Sequence, residues 1–176
     1  MRKKIIFFDG CGTLWYPKRT KYNKNPFWIY CNPKTVKDPN NHLILTPFAL
    51  WVLRRLKKKG IILVLLSTSP KSPKQANMQL KKRVKHFKLE NFFDEIHATR
   101  NYHGSKGEFI SDILKLKKIP KKAALMVGDR YVWDYRPAIN RGVDALLIES
   151  NYEDKVPIIR KRNRSIRKLK DMMDFL

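Results

Sequence analysis

Apolar and polar residues along this chain fall into blocks whose period changes from continuous to helical and back. KKIIFF at 3–8 ends four apolar residues in a row on an aspartate, the pattern of a short strand. TPFALWVLRRLKKKG at 46–60 has helical spacing, with Thr46 placed to cap it, Pro47 at its first position and Gly60 at its stop. IILVLL follows at once, a continuous apolar run suited to a strand buried on both faces. Ser72 and Pro73 open a second helix that runs to about Phe87. EIHAT at 95–99 is a weak strand, and SKGE at 105–108 has the form of a capping box opening a third helix. AALMVG, a short helix over PAINRG, the strand DALLIE and a terminal helix with Ile166, Leu169, Met173 and Leu176 on one face complete the series.

Strand and helix alternate throughout, which predicts right-handed βαβ units and the α/β class: a Rossmann-like three-layer α/β/α sandwich on a mostly parallel sheet. In such a sheet ligands sit beyond the carboxyl ends of the strands. Asp9 follows IIFF there, Ser67 and Thr68 follow IILVLL, and Asp129 follows LMVG, while Lys106 stands at the mouth of a helix. Two carboxylates, a hydroxyl and a lysine are the set that magnesium-assisted phosphoryl transfer requires. Carboxylates hold the cation, and cation, hydroxyl and ammonium neutralise the transferring group.

Residues 14–45 break the rhythm. The stretch is rich in Pro, Asn and aromatic residues, with FWIY at 27–30 as its one candidate strand, and it is too long for a simple connection. It reads as a small flap inserted after the first strand of a single domain spanning 1–176. Trp15, Tyr16, Phe27, Trp28 and Tyr30 either stack on a substrate ring or pack the flap onto the body, and packing is the commoner use of such residues.

Composition changes this picture in one respect. Lys and Arg number 39 against 15 acids, a net charge of +24 on 176 residues, but they are dispersed, over RRLKKK at 54–59, seven basic residues from Lys71 to Lys88, and RKRNRSIRKLK at 160–170. Such a balance fits anionic substrates or nucleic acid, or else solvated helix faces. No segment has the length of apolar sequence needed to span a bilayer, and Asp9 cuts the run behind MRKK short of a signal peptide. Two cysteines, Cys11 and Cys31, are too few for a disulfide framework. The expectation is a soluble cytoplasmic protein with no membrane partner.

These residues together resemble the haloacid dehalogenase superfamily. DGCGT followed by LW, the hydroxyl at Ser67, Lys106, and GDRYVWD with Asp129 and Asp134 stand in the order of its four signatures. KKAALMVGDR and INRGVDALLI extend the likeness over nearly the whole chain. The short flap after TLW, the ending LSTS, QANMQL and GSK look more narrowly like the magnesium-dependent phosphatases that lack a large cap. The resemblance implies that Asp9 is the nucleophile, forming an aspartyl-phosphate, and also a Mg2+ ligand. It implies that the Cys11 backbone carbonyl and Asp129 complete the protein ligands, with Asp134 supporting the metal or its waters. Ser67, with Thr68 as its rival, and Lys106 would bind the phosphoryl oxygens, and Thr13 would fix the loop.

Other readings stand beside these. Asp134 also suits a cap for the short helix at Arg136 and Pro137. His42, His86, His97 and His103 show no ligand or triad spacing. Arg100, Tyr102 and Arg130 border the expected mouth as substrate contacts or as solvated loop residues. The departure from the resemblance is Cys11, since most phosphatases of the superfamily have a second aspartate two residues after the nucleophile, serving as general acid and base. A thiol has a reference pKa of about 8.5 and donates hydrogen bonds weakly, so it replaces that acid poorly. The expected function is a magnesium-dependent phosphatase on a small or aryl phosphomonoester, phosphotyrosine included, whether free or in a phosphoprotein. Two alternatives are a nucleic-acid end phosphatase and a basic binding protein on a catalytically impaired scaffold.

Overall fold

The computed structural model describes residues 2–152 and 165–176. Strand β1 (Ile5–Phe8) is buried on both faces, as its unbroken apolar run requires. It pairs in parallel with β4 (Ile62–Thr68) on one side and β6 (Ala124–Gly128) on the other. The sheet continues outward through β5 (Glu95–Thr99) beyond β4, and through β7 (Asp144–Ile148) and the two-residue β8 (Ser165–Ile166) beyond β6. All its pairings are parallel. Helices α1 (Ala49–Lys58) and α2 (Pro73–His86) cover one face, where Val52, Leu53, Leu56, Leu80 and Val84 pack on Ile6, Phe8, Leu63 and Leu65. Helices α3 (Ser105–Leu116) and α4 (Arg136–Asn140) cover the other, with Ile110, Ile113, Leu114 and Ala138 on Ile5, Phe7, Val64 and Met126.

This topology, an α/β three-layer sandwich, positions the site. The chain leaves β1 toward β4 and β5, then crosses back to β6 on the opposite side of β1. The carboxyl end of β1 is thus the switch point of the sheet, flanked by the ends of β4 and β6. Asp9, Ser67 and Asp129 lie at those three neighbouring ends.

Four local expectations differ from the structure. Helix α1 begins two residues late, because Thr46 is used elsewhere: its N–H bonds to the Leu14 carbonyl at 2.9 Å and its hydroxyl accepts from Tyr22. Phe48, at φ 68°, makes the turn instead. FWIY is not a strand but a 3-10 turn, Pro26–Tyr30, started by Asn25, whose side chain accepts the Phe27 N–H at 3.0 Å. SKGE forms no capping box: Gly104, at φ 99°, opens α3, Glu108 accepts from the Tyr102 hydroxyl, and the Ser105 hydroxyl is buried without a partner among the described residues. The terminal helix is instead strand β8, whose Ile166 carbonyl accepts from Glu149 N at 3.0 Å, followed by a 3-10 helix, Leu169–Phe175. Of the basic run at 160–170, residues 160–164 lie outside the described residues.

Between β1 and α1 the chain folds an antiparallel ribbon of β2 (Trp15–Pro17) and β3 (Leu43–Leu45), registered Trp15 to Leu45 and Pro17 to Leu43. Two 3-10 turns bridge the ribbon. Among the described residues, no helix is long and apolar enough to cross a membrane.

Candidate active site

The loop after β1 is shaped by backbone bonds. Asp9 N donates to the Val127 carbonyl at 2.9 Å, tying it to β6, and the Gly10 carbonyl accepts from Leu14 N at 2.8 Å. Gly12 sits at φ 97°, and a Cβ there would fall on the Asp129 carboxylate, so only glycine lets the loop approach that side chain. Gly128 serves Asp134 in the same way, since a Cβ on it would strike the Asp134 side chain. Asp134 is carried by a wide π-type turn, Tyr131–Tyr135, just after β6. It does not cap α4, as one reading of the sequence had it. Its Oδ2 accepts from Arg130 N at 2.9 Å and its Oδ1 accepts from Lys106 Nζ at 2.5 Å.

Lys106 is the centre of the arrangement. It is 2% exposed, and its ammonium donates to Asp9 Oδ1 and to Asp134 Oδ1 together. Oxygens of Asp9, Asp129 and Asp134 lie within 4.8 Å of one another. Three buried carboxylates against one ammonium leave two negative charges uncompensated. The acids respond accordingly. Burial pushes the Asp9 carboxyl up to about 6, against the attraction of Lys106 and with the repulsion of Asp134. Burial and the charges of Asp9 and Asp134 lift Asp129 well above the carboxylate range. Burial opposes the charge on Lys106, yet Asp134 and Asp9 hold it above an ordinary lysine. Oxygen-only donors with two charges in excess fit a hard divalent cation such as Mg2+.

Of the two hydroxyls at the end of β4, Thr68 is bonded to the Thr99 hydroxyl at 3.1 Å, whereas the half-buried Ser67 has no side-chain bond among the described residues. Thr13 Oγ1 donates to Asp129 Oδ1 at 3.4 Å. Cys11 Sγ accepts from the Tyr30 hydroxyl at 3.5 Å, and burial pushes the thiol up to about 12, with the Arg83 charge opposing.

Two participants carried no signal in the sequence. Tyr152, in the loop after β7, donates its hydroxyl to Asp129 Oδ2 at 2.5 Å. Arg83, one basic residue among seven between Lys71 and Lys88, turns inward from α2 to the flap. A single tyrosine and a single arginine have no period or motif by which to be found.

The remaining candidates lie apart. His97 bonds Glu95 at 2.8 Å, His103 meets the edge of Trp133, His86 meets Phe87, and His42 is exposed. Arg100 and Tyr102 are exposed, while Arg130 serves the site through its backbone N–H. The flap aromatics mostly pack. Trp15 is fully buried and stacked on Phe87 at 5.7 Å, Tyr16 meets Tyr22 at 4.8 Å, and Trp28 Nε1 bonds Thr20 at 3.0 Å. Phe27, 47% exposed, is the exception.

Comparison with known proteins agrees with this fold. The fold is shared with a haloacid dehalogenase-like family hydrolase from Streptococcus pneumoniae, at 17% identity and TM-score 0.69 over 98% of both chains. A protein of Haemophilus somnus 129PT described as a predicted phosphoglycolate phosphatase superposes with TM-score 0.72 at 16% identity, over 99% of this chain and 98% of that one. A phospho-aspartyl intermediate analogue of phosphoserine phosphatase does so with TM-score 0.67 at 16% identity over the whole of both chains. No curated protein matches the sequence. Residues 17–148 match the family described as haloacid dehalogenase-like hydrolase, a span that takes in Ser67, Lys106, Asp129 and Asp134 and begins eight residues after Asp9. On that match, over well more than half of its length, the chain belongs to the haloacid dehalogenase-like hydrolases.

Proposed function

We propose that the protein is a magnesium-dependent phosphatase acting through an aspartyl-phosphate on a small or aryl phosphomonoester. The observation that carries this reading is the buried Lys106 ammonium bonded at once to Asp9 and Asp134, with Asp129 beside them. Mg2+ would be held by Asp9, Asp129, Asp134 and the Cys11 carbonyl, and when bound it supplies charge neutralisation for the phosphoryl group. An oxygen of Asp9 attacks phosphorus, the ester oxygen leaves with its electron pair, and water then cleaves the acyl phosphate to regenerate the carboxylate. Lys106 and Ser67 hold phosphoryl oxygens through both steps. Lys106 also orients Asp9 between strokes, because its second bond to Asp134 fixes where its charge sits. Cys11, a poor proton donor, leaves the departing oxygen to its own acidity, which favours phenolic esters.

The likeness of the whole chain to an aspartyl-phosphate analogue of phosphoserine phosphatase supports the two-step course. We read residues 1–176 as one cytoplasmic domain with 14–45 as its flap, in the manner of the phosphatases without a large cap. A second reading, an enzyme for phosphorylated nucleic-acid ends, draws on the outer groove of α2, lined by Lys74, Lys81, Lys82 and Lys85.

The test is hydrolysis of p-nitrophenyl phosphate and of a 3′-phosphorylated oligonucleotide, with Mg2+ and with excess chelator. Wild-type protein should hydrolyse the aryl ester only with Mg2+, and Asp9→Asn should abolish turnover. Full activity of Asp9→Asn, or of wild type in chelator, overturns the assignment. Preference for the oligonucleotide moves it to the second reading.

A further inference from the structure

Arg83 lies on the inner face of α2 with Ala76, Leu80 and Val84, and it is 8% exposed. An arginine side chain buried to this degree is ordinarily matched by a carboxylate, because desolvation of the charge is costly. Among the described residues no carboxylate lies within ion-pair distance of it. Its Nε donates to Asn40 Oδ1 at 3.1 Å, and its plane lies 4.9 Å from the Tyr30 ring and 6.0 Å from the Trp15 ring. Among the described residues one of its five donors is used.

What surrounds Arg83 leads to the nucleophile. The Tyr30 ring beneath it sends its hydroxyl to Cys11 Sγ, and Trp15 lies against Gly10 on the same loop. Its charge is felt at the Cys11 thiol. The loop that carries the nucleophile is therefore flanked, through Tyr30 and Trp15, by a cation that the thiol leaves uncompensated. Clamping the flap does not explain it, since two aromatic rings and an amide can be held by a neutral side chain.

We infer that Arg83 forms an anion subsite beside the phosphoryl position, so that the physiological substrate is a phosphomonoester whose leaving part carries a second anionic group, a carboxylate or another phosphate. This rests on the phosphatase reading of the site. The planar fork of arginine suits either group, two parallel N–H bonds meeting two oxygens. Binding would supply the partner that the buried charge lacks.

Matched esters test the inference. Phosphoglycolate against 2-hydroxyethyl phosphate varies a carboxylate, and fructose 1,6-bisphosphate against fructose 6-phosphate varies a phosphate. Wild-type kcat/KM should favour the anionic member of one pair by about tenfold or more, the effect of one charge-assisted hydrogen bond, and the favoured pair identifies the anion. Arg83→Gln should collapse that ratio toward one, and Arg83→Lys should keep part of it. Cys11→Asp, placing a carboxylate beside the guanidinium, should also lower it. Calorimetric binding of the four esters to Asp9→Asn, with and without Arg83→Gln, gives the same preference without turnover. Binding that prefers the anionic member through Arg83 while neither these esters nor p-nitrophenyl phosphate is hydrolysed overturns the phosphatase reading and leaves the subsite. Turnover with a wild-type ratio near one, or both members of a pair falling in step in Arg83→Gln, overturns the subsite. If Arg83→Gln does not fold, the wild-type and Arg83→Lys ratios decide.

Discussion

Cys11 shows how one side chain separates two functions of a position. Its place in the loop is set by the backbone, whereas acid–base work would need a titrating side chain, and burial has pushed this thiol up to about 12. Cys11→Asp should therefore raise turnover of alkyl phosphates more than of aryl phosphates, by at most about 10²- to 10⁴-fold, the usual contribution of a general acid. Steady-state rates on both classes from pH 5 to 9 measure this. An unchanged alkyl-to-aryl ratio means the cysteine does not stand in for an acid. Asp9 carries a second prediction. Its folded value of about 6 exceeds its unfolded 3.8, so between these the native state binds more protons than the unfolded chain. Stability of the metal-free protein should fall as pH rises from 4 to 6 and stay lower above, and Asp129 acts in the same direction. Asp94 and Glu95, held below the usual range by their bonds to Leu63 N and Lys117 despite partial burial, act with opposite sign below this window. Lys106, raised, keeps its contribution until pH passes the ordinary lysine value of 10.5. Mg2+ should accordingly raise the melting temperature more at pH 7 than at pH 5. Equal shifts at both would deny that these carboxylates hold the cation.

At the scale of elements, the strands and large helices were legible because burial on one or both faces imposes a period that tertiary contacts do not rewrite. IIFF, IILVLL and AALMVG became β1, β4 and β6, and these alone bring Asp9, Ser67 and Asp129 to one crevice. Ends and short pieces were less legible, because their polar groups are claimed by distant partners. Thr46 serves the flap instead of α1, and Glu108 serves Tyr102 instead of its own helix start. FWIY has strand-forming residues, but Asn25 and Pro26 ahead of it make a stronger local start for a helical turn. Lys106 was legible as a lysine at the mouth of a helix, in order between Ser67 and Asp129, and α3 does begin beside it although the capping box does not form. The flap itself hangs on Trp15, whose ring fills the space between Gly10 and Phe87. Trp15→Ala should cost about 3–5 kcal/mol in denaturant unfolding. A loss below 1 kcal/mol would mean that the ribbon closes over the gap.

The whole molecule sets a strongly positive exterior around an interior site with negative charge in excess. Apart from Arg83, the basic residues of α1 and α2 are solvated, and Lys57, paired with Asp94, is typical of those with a partner in remaining partly exposed. Such a field draws anionic substrates toward the surface generally, while the choice among them belongs to the few cations that are buried. Among the described residues two lysines have crossed inward. Lys106 lies between Asp9 and Asp134, and Lys3 donates to the carbonyls of Lys122 and Ala124 and to Asp144. Acylating reagents attack only a neutral amine that they can reach, and Lys106 is held charged and only 2% exposed while the chain is folded. In a footprint with an N-hydroxysuccinimide ester, the exposed lysines of α1 and α2 should be labelled within minutes, with Lys106 silent. Its labelling should begin only with global unfolding, so its rate, followed by mass spectrometry, becomes a clock for opening of the centre of the sheet. Early labelling of Lys106 would mean that the crevice breathes without the fold coming apart.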